Sequence, residues 1–358
     1  MSLLQQAPRF DLAGAARLAR ELYGLEAAAS TLPSERDQNF LLTTAAGDRY
    51  VLKIANAAEN RAMLEAQNAA MAHVVDRATF CPRVLPTIAG DAIGTASGST
   101  YLVRLVTYLA GAPLAASGPP TAGLLAGLGR AVGRLDAALA DFDHPAIHRD
   151  FHWDLANAAS VIGAHLALIH DDGDRGLVER VSVAALERIE PLRGAFRRSA
   201  IHNDANDWNV LVANSEVVAI IDFGDIVHSW TVGDPAVAIA YAMLDAADPL
   251  ATAAAIVRGY HAEHPLLDEE LAAVFPLACL RLCMSACIAA WQQAQRPNDE
   301  YLAVSQGPIQ RTLPALAAIP LGFAEETLRA ASCKAGRPKG GKAGRSKAEG
   351  SEGGSSHL

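Results

Sequence analysis

The chain has 358 residues, 51% of them hydrophobic, enough to build two lobes or domains of ordinary size around a large core. Its formal charge of −9 is uneven: from Ala331 onward six basic residues (Lys334, Arg337, Lys339, Lys342, Arg345, Lys347) outnumber Glu349 and Glu352, so this tail carries +4 and the rest −13. An acidic body argues against nucleic acid as partner and suits a small cationic substrate. The lack of a membrane-length apolar run and of a signal-like start predicts a cytoplasmic protein with no membrane partner.

Along the chain, residues 11–28 predict a helix with Leu12, Ala15, Ala16, Ala19, Leu22 and Tyr23 on one face. Residues 32–42 read as a polar turn entering a strand. Ala46-Gly47-Asp48 turns the chain into a return strand over 49–54, and residues 58–75 read as a helix. Residues 101–106 form a further strand, and Tyr108–Pro113 breaks the pattern as a hinge would. Ala- and Leu-rich helical segments then dominate. They are interrupted by one hairpin, Val210-Leu211-Val212 and residues 217–221, turning at Asn214-Ser215. Cys279, Cys283 and Cys287 recur at i, i+4, i+8 with no His or fourth Cys at ligand spacing, so a buried helical stripe is expected rather than a metal site. The Gly/Lys/Ser-rich segment 331–358 cannot bury a core and is expected to be disordered. The resulting fold class is α+β: a strand-rich lobe over 1–106, a hinge at 107–112 and a larger helical lobe over 113–330.

The most specific signal is His202-Asn203-Asp204 with Asn209 five residues after Asp204, then an apolar strand and Asp222-Phe223-Gly224-Asp225. A lone HxD is ordinary turn chemistry; with the Asn and the second Asp it has the layout of a kinase catalytic loop and metal-binding Asp. In that layout Asp204 accepts the proton of an attacking hydroxyl, and Asn209 and Asp222 hold Mg²⁺ against nucleotide phosphates. The hairpin would bring Asn209 and Asp222 to one end. Lys53 on the strand Tyr50–Ile54 would bind the phosphates, held by Glu65 on the next helix, with Glu59 as the alternative. No Gly-rich phosphate loop is present. The turn Ser34–Asn39 stands in its place and offers Ser34, Gln38, Asn39 and backbone N–H groups. Gly127-Leu128-Gly129 with Gly133 has the wrong spacing for such a loop. His148-Arg149-Asp150 spells HRD but has Leu155 where an Asn is required. Asp225, Trp230, Trp153 and Asp154 are candidates to line a site for a cationic acceptor.

With these motifs in place, most of residues 10–325 resembles the aminoglycoside phosphotransferase and choline kinase superfamily, whose fold is protein-kinase-like. The segments 101–111 and 148–155 point within it to the hydroxylysine kinase group. The resemblance implies a small-molecule kinase using Mg²⁺ and ATP or GTP on the hydroxyl of an amino alcohol such as 5-hydroxylysine. Aminoglycoside, homoserine and choline or ethanolamine are the alternative acceptors, and a non-catalytic nucleotide-binding scaffold is the alternative role. It also implies that Thr107, Tyr108 and Leu109 hydrogen-bond the purine. The chain departs from the superfamily at Asn203, where Gly is usual. Asn tolerates the left-handed backbone that Gly would supply.

Overall fold

The computed structural model describes residues 8–34, 37–295 and 306–334. Helix α1 (Leu12–Tyr23) starts at Asp11, whose carboxylate accepts the Gly14 N–H, and stops at Gly24 with φ +65. There the N–H groups of Gly24 and Leu25 close on the carbonyls of Arg20 and Ala19. The helix is thus shorter than the 11–28 expected. Residues beyond Gly24 are claimed instead by strand β1 (Ala27–Leu32), which pairs antiparallel with β2 (Gln38–Thr44). Its buried face also differs from the expected one: Leu18 is buried and Leu12 is exposed.

Strand β3 (Arg49–Ile54) follows β2 as expected. Helix α2 (Arg61–Val74) begins later than residue 58 because the Asn60 side chain caps it at the Ala62 N–H. Two short strands, β4 (Val84–Leu85) and β5 (Gly94–Thr95), both pair with β6 (Leu102–Thr107). The sheet order is β1-β2-β3-β6-β4, with β5 also on β6. One face of the sheet presents Phe40, Leu42, Leu52, Ile54, Val103 and Leu105 to Ala15, Leu18, Ala19 and Tyr23 of α1. The residues between them, Lys53 among these, lie on the other face. Helix α2 sends Met63, Ala66, Ala70, Met71 and Val74 into the core of the larger lobe and so ties the lobes together.

After β7 (Ala112–Pro113) come α3 (Ala122–Leu139), α4 (Ala158–His165) and α5 (Asp172–Ile189), then β8 (Arg198–Ile201) and the hairpin β9 (Val210–Ala213) and β10 (Glu216–Ile220). Strand β11 (Val227–Trp230) pairs with β8, and β7 pairs with β9. Helices α6 (Gly233–Ala242), α7 (Pro249–Glu263), α8 (Asp268–Gln295), α9 (Gln306–Ala317) and α10 (Leu321–Cys333) complete the two-lobed α+β fold. Helix α8 is long and apolar enough to cross a membrane, yet 94% of its apolar window is buried inside the lobe. It is the lobe's spine, and Cys279, Cys283 and Cys287 are free, buried thiols on it. Burial pushes Cys279 and Cys287 up to about 12. Helix α10 runs to Cys333 with Ser332 buried, so the first residues of the expected disordered tail belong to the fold; residues 335–358 lie outside the described residues.

The glycines discounted as a phosphate loop have a packing purpose. A Cβ on Gly129 of α3 would lie 2.0 Å from the Ile256 carbonyl oxygen, and one on Gly259 of α7 would lie 2.0 Å from the Ala126 carbonyl oxygen. The two helices touch backbone to backbone, leaving no space for a side chain at either position. Gly129→Ala should therefore destabilise the protein by about 3 kcal/mol, near the upper end of overpacking costs. A denaturant midpoint unchanged from that of the parent protein would refute the close-contact account.

Candidate active site

Strand β8 delivers the chain into the loop that starts at His202. The loop is held from below by the buried Asp234 carboxylate in the first turn of α6. One oxygen accepts the His202 N–H at 2.8 Å and the other accepts the Asn203 N–H. Asn203 adopts φ +65, so the loop keeps its left-handed step without a glycine. The Asn206 side chain stabilises the following turn by accepting the N–H groups of Trp208 and Asn209. The hairpin then turns through Asn214 (φ 51) and Ser215 (φ 61), the pair of positive φ angles of a type I′ connection. Its open end is tied by the Ile221 N–H donating to the Asn209 carbonyl at 2.9 Å, which places Asn209 and Asp222 together as expected.

Asp204 is mostly enclosed. Its Oδ1 accepts from Asn206 at 2.8 Å and from the Arg281 guanidinium at 3.4 Å, and its Oδ2 accepts from Asn209 at 2.6 Å. Burial pushes its pKa well above the usual carboxylate range. Asp225 and Asp222 push the same way, while Arg281 and Asn206 oppose them. Asp222 stands at φ +66, and its Oδ1 accepts the Gly224 N–H at 3.1 Å and the Lys53 ammonium at 3.0 Å. This last contact joins the two lobes at the centre of the motif.

The expected nucleotide residues separate. Lys53 meets Asp222 and not Glu65; Glu65 pairs with Arg61 at 2.9 Å on the outer surface of α2, its side chain 50% exposed. Gln38 is fully engaged elsewhere, since its amide accepts the Phe10 N–H and donates to the Phe10 carbonyl, both at 2.8 Å. Asn39 stands directly across from Lys53. Ser34 is exposed at the start of the turn, whose Glu35 and Arg36 lie outside the described residues. Thr107 closes β6 against Arg83 through its main chain and hydroxyl, and Tyr108 lies under the Arg49 guanidinium, 4.2 Å from the ring centre. Leu109 follows, half-buried.

The four acceptor candidates also divide. Asp225 is buried and faces Asp204. Trp153 lies beside the loop: its carbonyl accepts from Asn203 at 3.4 Å and from Arg281 at 2.7 Å. Trp230 is a core residue instead, packed edge-on against Phe196 with ring centres 5.3 Å apart. Asp154 has a structural task, capping the Ala156 N–H and accepting the Ser229 hydroxyl.

Two important residues escaped the motif reading. Arg281 on α8 is 1% exposed and lies over the Trp153 ring at 4.5 Å while reaching Asp204. Its signal was a lone charge in an otherwise apolar helical run. Asp234 gave a similar signal at the head of Gly233-Asp234-Pro235.

The donor set fits a hard cation. Asn209 uses both amide hydrogens on Asp204, to the carbonyl at 3.0 Å and to Oδ2 at 2.6 Å, so its side-chain oxygen is the atom left to accept. Asp222 supplies a carboxylate at the same end of the hairpin. Among the described residues no group of three or more His, Cys, Asp or Glu could hold a metal unaided.

A two-lobed fold with this loop defines a kinase-like phosphotransferase, and the sequence agrees. Residues 29–271 match the model of the phosphotransferase enzyme family, APH. The chain is 32% identical to hydroxylysine kinase of Mus musculus and 30% identical to that of Bos taurus, each over 83% of this chain and 87% of the relative. Its fold is similar to that of amicoumacin kinase, with a TM-score of 0.66 at 14% identity over 87% of this chain and 97% of that one. The chain belongs to the phosphotransferase enzyme family. Within it, this is a small-molecule phosphotransferase similar to the hydroxylysine kinases.

The Lys53 and Glu65 placements make opposite forecasts. Lys53→Met should weaken nucleotide triphosphate binding about tenfold or more, the scale of a lost charge-assisted hydrogen bond. Glu65→Ala should leave that binding unchanged. Calorimetric titration of both variants checks this, and a large loss in Glu65→Ala would reinstate the Lys53–Glu65 pair.

Proposed function

We propose that this enzyme transfers the γ-phosphate of ATP or GTP to the hydroxyl of a small cationic amino alcohol, 5-hydroxylysine. The observation that carries this reading is the set Asp204, Asn209, Asp222 and Lys53 in a chain about 30% identical to hydroxylysine kinases over most of its length. The hinge main chain at Thr107–Leu109 takes the purine, and Lys53 leaves Asp222 to hold the phosphates. Asn209 and Asp222 would hold Mg²⁺, which neutralises charge on the phosphates when bound. The acceptor hydroxyl sits against Asp204. Its oxygen forms the new bond to the γ-phosphorus, the bond from that phosphorus to the bridging oxygen breaks, and the nucleoside diphosphate departs. The hydroxyl proton passes to Asp204, whose raised pKa makes it a better proton acceptor than an ordinary carboxylate. Asn206, Asn209 and Arg281 fix the orientation of that carboxylate, so little reorganisation accompanies transfer. Asp225 and Trp153 would receive an ammonium group on the acceptor.

The test is nucleoside diphosphate release with Mg²⁺, offering ATP and GTP against 5-hydroxylysine, ethanolamine, choline, homoserine and kanamycin. Turnover should appear with hydroxylysine. Asp204→Asn should lower kcat by about 10²- to 10⁴-fold, the range for loss of a general base. Turnover confined to another acceptor would overturn the substrate assignment, and nucleotide binding without turnover on any acceptor would favour the scaffold role.

A further inference from the structure

The sheet face that looks toward α2 carries a row of three polar residues. Asn39 on β2, Lys53 on β3 and Arg104 on β6 stand directly opposite one another. Directly opposed residues of antiparallel strands share a face, with Cβ atoms about 5 Å apart. Two cations are therefore neighbours on one side of the sheet. Lys53 reaches outward to Asp222. Arg104 is 3% exposed and donates to the neutral Asn68 side chain of α2 at 3.0 Å. It forms no salt bridge among the described residues, although Asp37, Asp222 and Glu59 face it at longer range.

A buried guanidinium whose direct side-chain partner is a neutral amide is costly unless its charge serves an anion nearby. In this fold the helix after the lysine strand is expected to offer a glutamate that draws the lysine into place. Here that helix offers Asn68, and the glutamate points away. We propose that Arg104 is the positioning residue for Lys53 and a second, buried cation of the nucleotide-phosphate site. Like charge directly opposite pushes Lys53 off the sheet toward Asp222 and the phosphates, where a glutamate would have drawn it by attraction. The buried charge also adds positive potential beneath the triphosphate, in surroundings where salt screens it little. This inference rests on the phosphotransferase reading of the site.

Its signature is graded by phosphate. Calorimetry would compare the nucleoside, mono-, di- and triphosphate of whichever purine the parent protein binds, in the parent, Arg104→Gln and Arg104→Lys. Arg104→Gln keeps a hydrogen-bonding partner for Asn68 and removes the charge. It should weaken the triphosphate about tenfold, the diphosphate less and the nucleoside not at all. Arg104→Lys keeps the charge and should retain the parent's gradient. Equal weakening of nucleoside and triphosphate would reduce Arg104 to a structural role and overturn the proposal, as would an unchanged triphosphate affinity. Should Arg104→Gln fail to fold, the lysine variant decides: a gradient flattened despite the retained charge overturns it. Failure of the parent protein to bind any phosphorylated nucleotide would remove the phosphotransferase reading itself, an outcome visible before any variant is made.

Discussion

The Asp234 carboxylate, buried at the head of α6, is the constraint on which the rest depends. By accepting two consecutive N–H groups it fixes the backbone at His202 and Asn203, and so the direction in which Asp204 leaves the loop. Asp234 in turn stands above a buried network. The Tyr260 hydroxyl of α7 donates to Asp136 of α3, and burial followed by the charge of Asp234 pushes the Asp136 pKa well up. That network requires α3 and α7 to lie unusually close, which is what Gly129 and Gly259 permit. Two glycines buried between helices α3 and α7 thereby set the floor under the loop at His202.

Above that floor three carboxylates come together. Asp204, Asp222 and Asp225 converge, and the first is raised by burial and by the other two. Isolated, three carboxylates would repel one another and resist burial. Lys53 meets Asp222 from the small lobe and Arg281 meets Asp204 from α8, so each cation arrives from a different element.

What was legible in the sequence was local. The loop at His202, the hairpin and its turn, the strand over 49–54 and the buried cysteine stripe all depend on spacings of a few residues. They stand where spacing put them. The misses share a different origin. The helix spacing points to Glu65, but its half-exposed side chain pairs with Arg61, and Asn68, one turn on, is the α2 side chain that meets Arg104 of the sheet. Trp230 lies near Asp222 in sequence, yet at the end of β11 it packs against Phe196 in the core. Gln38 was assigned to phosphate by its place in a turn, and the chain start claimed it through two hydrogen bonds. Arg281 and Asp234 reach the loop from distant helices, so no local pattern contains them. Their one trace is a charge where an apolar helix would not carry one without a partner.

The discarded HRD segment shows why the two halves of the site cannot vary independently. Arg149 donates to the Gly224 and Ile226 carbonyls and so braces the turn that carries Asp222. Four residues on, the Trp153 carbonyl binds Asn203 and Arg281, and its ring covers the Arg281 guanidinium. Asp154 then anchors the segment to β11 through Ser229. One short stretch therefore holds the turn of Asp222 with one end and the surroundings of Asp204 with the other. Any change at Trp153 must act on a backbone already committed to Asp222, through a guanidinium already committed to Asp204. A change there should therefore disturb Asp204 and the turn of Asp222 together.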